Sequence, residues 1–202
     1  MRVYIESNFV LELTLAQRQH RSCERILDLC VAGSHGLMIP AFCIPESHHA
    51  LVGKLNSRNR VRQDLLTHRN ELLRTSYHAN LVSSLDDVNI LLSQSADAEI
   101  ERLRAEVEKI AQVATLIPLD KEVLQTAAVL QGDGSIRRYF DYIVLASVLI
   151  EARRSNLEPS CFLNTDHEFS SPEIDALLQN VGCKILLSFD DGLEYLTSQL
   201  PR

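Results

Sequence analysis

Val3-Tyr4-Ile5-Glu6-Ser7-Asn8-Phe9-Val10-Leu11-Glu12-Leu13 carries the chain from a β-rich run, through one acid, into a helical pattern. The β-branched and aromatic residues from Arg2 to Ile5 predict a short buried strand. Ser7-Asn8 offers a cap for a helix from residue 9 to about 31, which Gly33-Ser34-His35-Gly36 breaks. The cycle then repeats. Leu37-Met38-Ile39 reads as a second strand, and Pro45 suits the first turn of a helix carrying Glu46. Residues 115–119 read as a linker or short strand before a helix from 120 to about 130. Gly132-Asp133-Gly134 is a loop, and Ser135 can cap a long helix ending near Arg154. Cys161-Phe162-Leu163 is a further strand and Pro172 opens a helix to about 180. Gly182 ends that helix, Cys183-Lys184-Ile185-Leu186-Leu187 is the last strand, and residues 189–199 the last helix. Strands alternating with helices predict an α/β fold with a parallel sheet covered on both faces. There is no internal repeat, so one domain is expected over residues 1–202.

Between about 57 and 112 the pattern is helical without a glycine or proline. Leu65, Leu66, Leu72 and Leu73 mark one helix; Ile90, Leu91, Ile100, Leu103, Val107 and Ile110 mark another. This predicts a helical arm, about 53–112, inserted into the α/β frame. Its first half carries six basic residues from Lys54 to Arg74 against two acids; from Asp86 to Glu108, seven acids face two arginines. Two readings stay open: solvated helix faces, or a basic arm for a phosphate backbone beside an acidic counterpart.

Apolar residues at 46% and charged residues at 23% fit a globular chain and exclude extensive disorder. No apolar run approaches the roughly 18 residues needed to span a bilayer, and the N-terminus lacks the pattern of a secretory signal. A membrane partner is therefore not expected. Five scattered cysteines (Cys23, Cys30, Cys43, Cys161, Cys183) form no CxxC pair, which removes zinc-knuckle and redox motifs. They read as small core residues of a reduced, cytoplasmic protein. A net charge of −7 argues against a broad basic surface.

Four acids stand at the edges of apolar runs: Glu6 after Val3-Tyr4-Ile5, Glu46 after Ile44-Pro45, Asp141 within Tyr139-Phe140-Asp141-Tyr142-Ile143, and Asp166 after Phe162-Leu163. Carboxylates so close to a core need compensation for lost hydration. In open α/β sheets, ligands bind beyond the carboxyl ends of the strands. Four acids on that rim would repel one another, and a hard divalent cation, Mg²⁺ or Mn²⁺, is the partner that oxygen ligands favour. Each acid also has a plainer reading: a helix N-terminus for Glu46, a turn for Asp166, a strand-end surface for Glu6, an arginine pair for Asp141.

The segments Val3 to Leu13, Ile39-Pro40-Ala41-Phe42-Cys43-Ile44-Pro45-Glu46, Asp141-Tyr142-Ile143-Val144-Leu145-Ala146-Ser147-Val148-Leu149 and Leu163-Asn164-Thr165-Asp166-His167-Glu168-Phe169 resemble, in order, the signatures of PIN domains. Gly182 to Gly192 resembles that family's closing strand and helix. The resemblance implies a three-layer α/β/α fold and a Mg²⁺- or Mn²⁺-dependent nuclease acting on RNA. It places Glu6, Glu46, Asp141 and Asp166 at the acidic-quartet positions. It also implies that Ser7 or Asn8 steadies the first acid, that Asn164 stands where Ser or Thr is common, and that Glu168 is a candidate fifth ligand. Glu6 departs from the family's usual aspartate by one methylene, which motivates a catalytically degenerate binding module as the alternative. The arm and the acidic charge motivate a toxin with a cognate antitoxin, a nuclease gated by a regulatory protein, or a homodimer.

Other chemistries have less support. Glu46-Ser47-His48-His49 holds one Glu-x-x-His, but a di-iron bundle needs a second copy. Gly132-Asp133-Gly134 lacks the lysine of a phosphate loop, and no Gly-x-Ser-x-Gly elbow occurs.

Overall fold

The computed structural model describes residues 1–74, 82–132, 136–155 and 158–200. The loop expected at Asp133-Gly134 and the cap expected at Ser135 lie outside them. In chain order the elements are β1 (Arg2–Tyr4), α1 (Ser7–Leu15), α2 (His20–Val31), β2 (Gly36–Pro40), α3 (Cys43–Leu72), α4 (Ser83–Val113), β3 (Thr115–Ile117), α5 (Lys121–Gln131), α6 (Tyr139–Arg154), β4 (Ser160–Leu163), α7 (Pro172–Gln179), β5 (Cys183–Leu186) and α8 (Phe189–Ser198). A 3₁₀ turn spans His167–Ser170.

The strands form one sheet in the order β3-β2-β1-β4-β5, with every neighbouring pair parallel. The chain steps from β1 outward to β3, then returns to β4 and runs outward to β5. Parallel crossovers are right-handed, so reversing the direction of travel moves the connecting helices to the other face. That gives the three-layer α/β/α architecture. The helices α1, α2, α3, α4 and α8 pack among themselves, while α5 pairs with α6. The core lies between these layers and the sheet, where Val3, Tyr4, Ile39, Cys161, Phe162 and Leu163 are all buried. All five cysteines are buried and free. Among the described residues no helix is long and apolar enough to cross a membrane.

Three departures from the sequence reading have local causes. The first long helix is two: α1 stops at Ala16, which adopts a left-handed φ of 49°, and its end is tied by Gln17 N donating to Glu12 O at 3.1 Å. Gln19 then turns outward, where its Oε1 accepts from Phe189 N at 2.7 Å and from Ser188 Oγ at 3.2 Å, anchoring the start of α8. Ser7 does not cap α1. It is the helix's first residue and turns its hydroxyl to Glu6. Finally, the arm has no break at residue 53. The helix bearing Glu46 continues without interruption to Leu72, and the C-terminal half of α4 buries Leu103 and Ile110 in the core. The distal hairpin is closed by ion pairs across its seam. Arg58 donates to both Glu99 oxygens at 2.7 Å, and Arg69 Nη2 to Asp86 Oδ2 at 3.0 Å.

Candidate active site

The reversal of direction falls between β1 and β4, so the loops beyond their carboxyl ends part and leave a crevice there. Tyr4 pairs in register with Phe162. Two residues further on, Glu6 and Asn164 are therefore level with each other on adjacent strands. Ile5 N still donates to Met38 O and Asn164 N to Leu186 O, both at 3.0 Å, which fixes the backbone up to the acids.

Glu6 is buried. Its Oε2 accepts from Ser7 Oγ at 2.8 Å, while Oε1 is buried without a partner among the described residues. Burial pushes its pKa up to about 7, against the pull of the Asn8 amide and the Ser7 hydroxyl; the charges of Glu46 and Asp141 add to the rise. Glu46 sits in the first turn of α3, half-buried. Burial raises its pKa too, opposed by the Ser7 hydroxyl and the Arg138 charge. Ser7 thus stands between the first two acids.

Asp141 opens α6, with its Oδ2 buried and unpartnered among the described residues. Burial raises its pKa to about 6, and Asp166, Glu46 and Glu168 push the same way while Arg138 opposes them. Asp166 precedes the 3₁₀ turn, and its Oδ1 accepts from Glu168 N at 2.9 Å. Asn164 is fully buried and its Oδ1 accepts from Asp166 N at 2.6 Å, so it shapes the loop that presents the acid. Glu168 Oε2 accepts from Arg137 N at 2.9 Å, which ties the Asp166 loop to the entrance of α6.

The structure therefore brings Glu6, Glu46, Asp141, Asp166 and Glu168 into one electrostatically coupled group, with Ser7, Asn8 and Asn164 supporting it. Cys43 sits beneath this group. Burial drives its thiol well above the usual range, and Glu6, Glu46 and Asp141 each raise it further. Nothing in the sequence separated Cys43 from the other core cysteines. Likewise Arg138 acts on two of the acids, although Arg137 was an equal candidate. His48, His49 and His167 are exposed.

Strand order, layering and the acidic crevice define a three-layer α/β/α domain with a carboxylate site at its switch point. A family model described as PIN domain matches residues 3–169, and the chain belongs to the PIN-domain family. The matched span contains all five acids, and the fold is of nuclease type. No curated protein and no solved structure matches the chain.

The family implies a divalent cation, and the unpartnered Glu6 Oε1 and Asp141 Oδ2 test whether these residues suit one. Two hard oxygens, buried and directed among other acids, fit an ion that prefers oxygen ligands. Among the described residues no group of three or more His, Cys, Asp or Glu side chains is placed so that it could hold a metal ion. Mg²⁺ commonly binds through one or two carboxylates and keeps several waters, so an open donor set is compatible with it.

Proposed function

We propose that the protein is a divalent-metal-dependent ribonuclease that hydrolyses RNA phosphodiester bonds at this acid cluster. The observation that carries the reading is the mutual influence of the charges of Glu6, Glu46, Asp141 and Asp166 at the switch point, with two buried carboxylate oxygens unpartnered among the described residues. Glu6 and Asp141 would hold Mg²⁺ or Mn²⁺, with Glu46 and Asp166 completing or orienting the set. When bound, such an ion acidifies a water and polarises the phosphoryl oxygen.

The chain's own residues do the positioning. Ser7 steadies the Glu6 carboxylate, and Asn164 fixes the loop that carries Asp166. Arg138 lies exposed beside Glu46 and Asp141, where a cation can meet the substrate phosphate and offset the negative crevice. Burial raises the pKa of both Glu6 and Asp141, so a bound cation would compete with protons for these oxygens.

Asp141→Asn keeps the shape of the side chain and removes its charge. It should abolish Mn²⁺-dependent cleavage of RNA while circular dichroism shows the fold retained. Cleavage at the wild-type rate in that variant would end the assignment. A cognate antitoxin is tested separately: arrest of growth on expression, relieved by a neighbouring small gene.

A further inference from the structure

Three aromatic pairs or clusters stand out, and one differs in kind. Phe9 and Phe189 meet at 5.3 Å and 89°, and Phe162 and Phe169 at 5.4 Å and 79°; both pairs are edge-to-face and all four rings are buried. Phe42 and Phe140 meet at 5.0 Å with only 32° between their planes. Phe140 remains 52% exposed and its neighbour Tyr139 37% exposed. They are the two exposed aromatic side chains among the described residues. Phe140 belongs to an apolar run in the sequence, yet the buried residues of α6 begin at Tyr142 and Phe140 faces water.

The position of this pair is tied to the acids. Phe42 immediately precedes α3 and its carbonyl accepts from Glu46 N at 3.2 Å. Phe140 is adjacent to Asp141 in the first turn of α6. The contact therefore bridges the two helix starts that carry Glu46 and Asp141. Arg137 and Arg138, both exposed, immediately precede the aromatics. An edge-to-face pair with both rings buried closes on itself, whereas the tilted Phe42–Phe140 pair, with Phe140 half-exposed, leaves aromatic surface on which a third planar group can pack. Beside a site suited to phosphate and flanked by cations, a nucleobase fits that surface.

We propose that Phe140, backed by Phe42 and flanked by Tyr139, is a stacking platform for an unpaired RNA base next to the phosphate at the acid cluster. This rests on the ribonuclease reading and adds what that reading leaves open: how a chain of net charge −7 grips its substrate, and which strand form it takes. A base inside a duplex has both faces covered by its neighbours, so only a single strand can add to the pair.

The chain contains no tryptophan, so Phe140→Trp introduces a single fluorescent reporter at the platform. A short single-stranded oligoribonucleotide should quench it saturably, with Ca²⁺ in place of Mg²⁺ to suppress cleavage. The same strand in a duplex, or carrying abasic sites, should not. Phe140→Ala, at an exposed position, should lose roughly 5- to 150-fold in affinity for the single strand, while Phe140→Trp keeps wild-type affinity. Absence of quenching, or undiminished affinity in Phe140→Ala, overturns the platform. If RNA cleavage still depends on Asp141 in that case, the ribonuclease reading survives alone. Quenching by single strands without cleavage under Mg²⁺ or Mn²⁺ does the reverse. A change in self-association in Phe140→Ala with RNA affinity unaltered also overturns the platform, assigning the ring to contact between copies.

Discussion

Replacing Glu6 with glutamine isolates the cost of burying its charge. In the folded chain the Glu6 pKa is raised from its ordinary 4.5 to about 7, with burial the main cause. The folded state therefore binds more protons than the unfolded chain between those two values, and stability falls as pH rises through that window. The contribution is fully present below pH 4.5 and gone above pH 7. At about 1.4 kcal/mol for each tenfold change in proton affinity, the penalty by pH 8 is about 3 kcal/mol. Glutamine carries no charge at any pH. Its amide oxygen can accept what the carboxylate accepts from Ser7, and its NH₂ would occupy the place of the unpartnered Oε1, among the carboxylates of Glu46 and Asp141. The variant should thus match the wild type at pH 5 and exceed it at pH 8 by about 2–3 kcal/mol, or roughly 5–10 °C in Tm for a chain of this size. Thermal unfolding by circular dichroism in EDTA, at both pH values, measures this. An equal gap at pH 5 and pH 8, or no gain at pH 8, would show that burial does not hold that proton.

Cation and proton compete for the same oxygens, so Mn²⁺ should raise the wild-type Tm at pH 8 and do so much less at pH 5.5. A shift equal in Glu6→Gln, Asp141→Asn and wild type would place the ion elsewhere. Gly192 in α8 lies against β4, and a Cβ built there would stand 2.9 Å from Leu163 Cδ2. Leu163 is fully buried, so its side chain would have to shift within the core. Gly192→Ala should cost about 1–3 kcal/mol by overpacking, read as a lower Tm; an unchanged Tm would mean the two layers can part there freely.

The sheet and most helices were legible because their signals are local. Asp120 accepts from Val123 N at 2.9 Å and Ser171 from Ile174 N at 3.3 Å, so the starts of α5 and α7 follow from cap chemistry visible in the sequence. Gly182, with φ of 70°, reverses the chain into β5 as a glycine should. The break at Ala16 was not legible, because alanine signals helix and only the surroundings hold it at positive φ. The acids stood out in the sequence for a different reason: a carboxylate beside an apolar run is conspicuous whatever the fold. Their companions did not. Cys43 and Phe140 look like core residues in sequence, and what distinguishes them is where α3 and α6 begin relative to each other, which depends on segments nearly a hundred residues apart.

The charge of the arm left two readings open, solvated helix faces or a phosphate track. Of its six cations between Lys54 and Arg74, Arg58 and Arg69 are engaged by Glu99 and Asp86 of the facing helix. Glu99 is buried, and removing Arg58 would leave its charge uncompensated, so this pair holds the hairpin's register before it can serve a ligand. An arginine already closed on a carboxylate offers little to a phosphate. Positive charge that matters to the crevice must then lie near it, and Arg138 meets that condition because its field reaches both Glu46 and Asp141. On the ribonuclease reading, a site so acidic would draw a cation before a polyanion, and a substrate phosphate would settle beside Arg138 only once the carboxylate charge was offset.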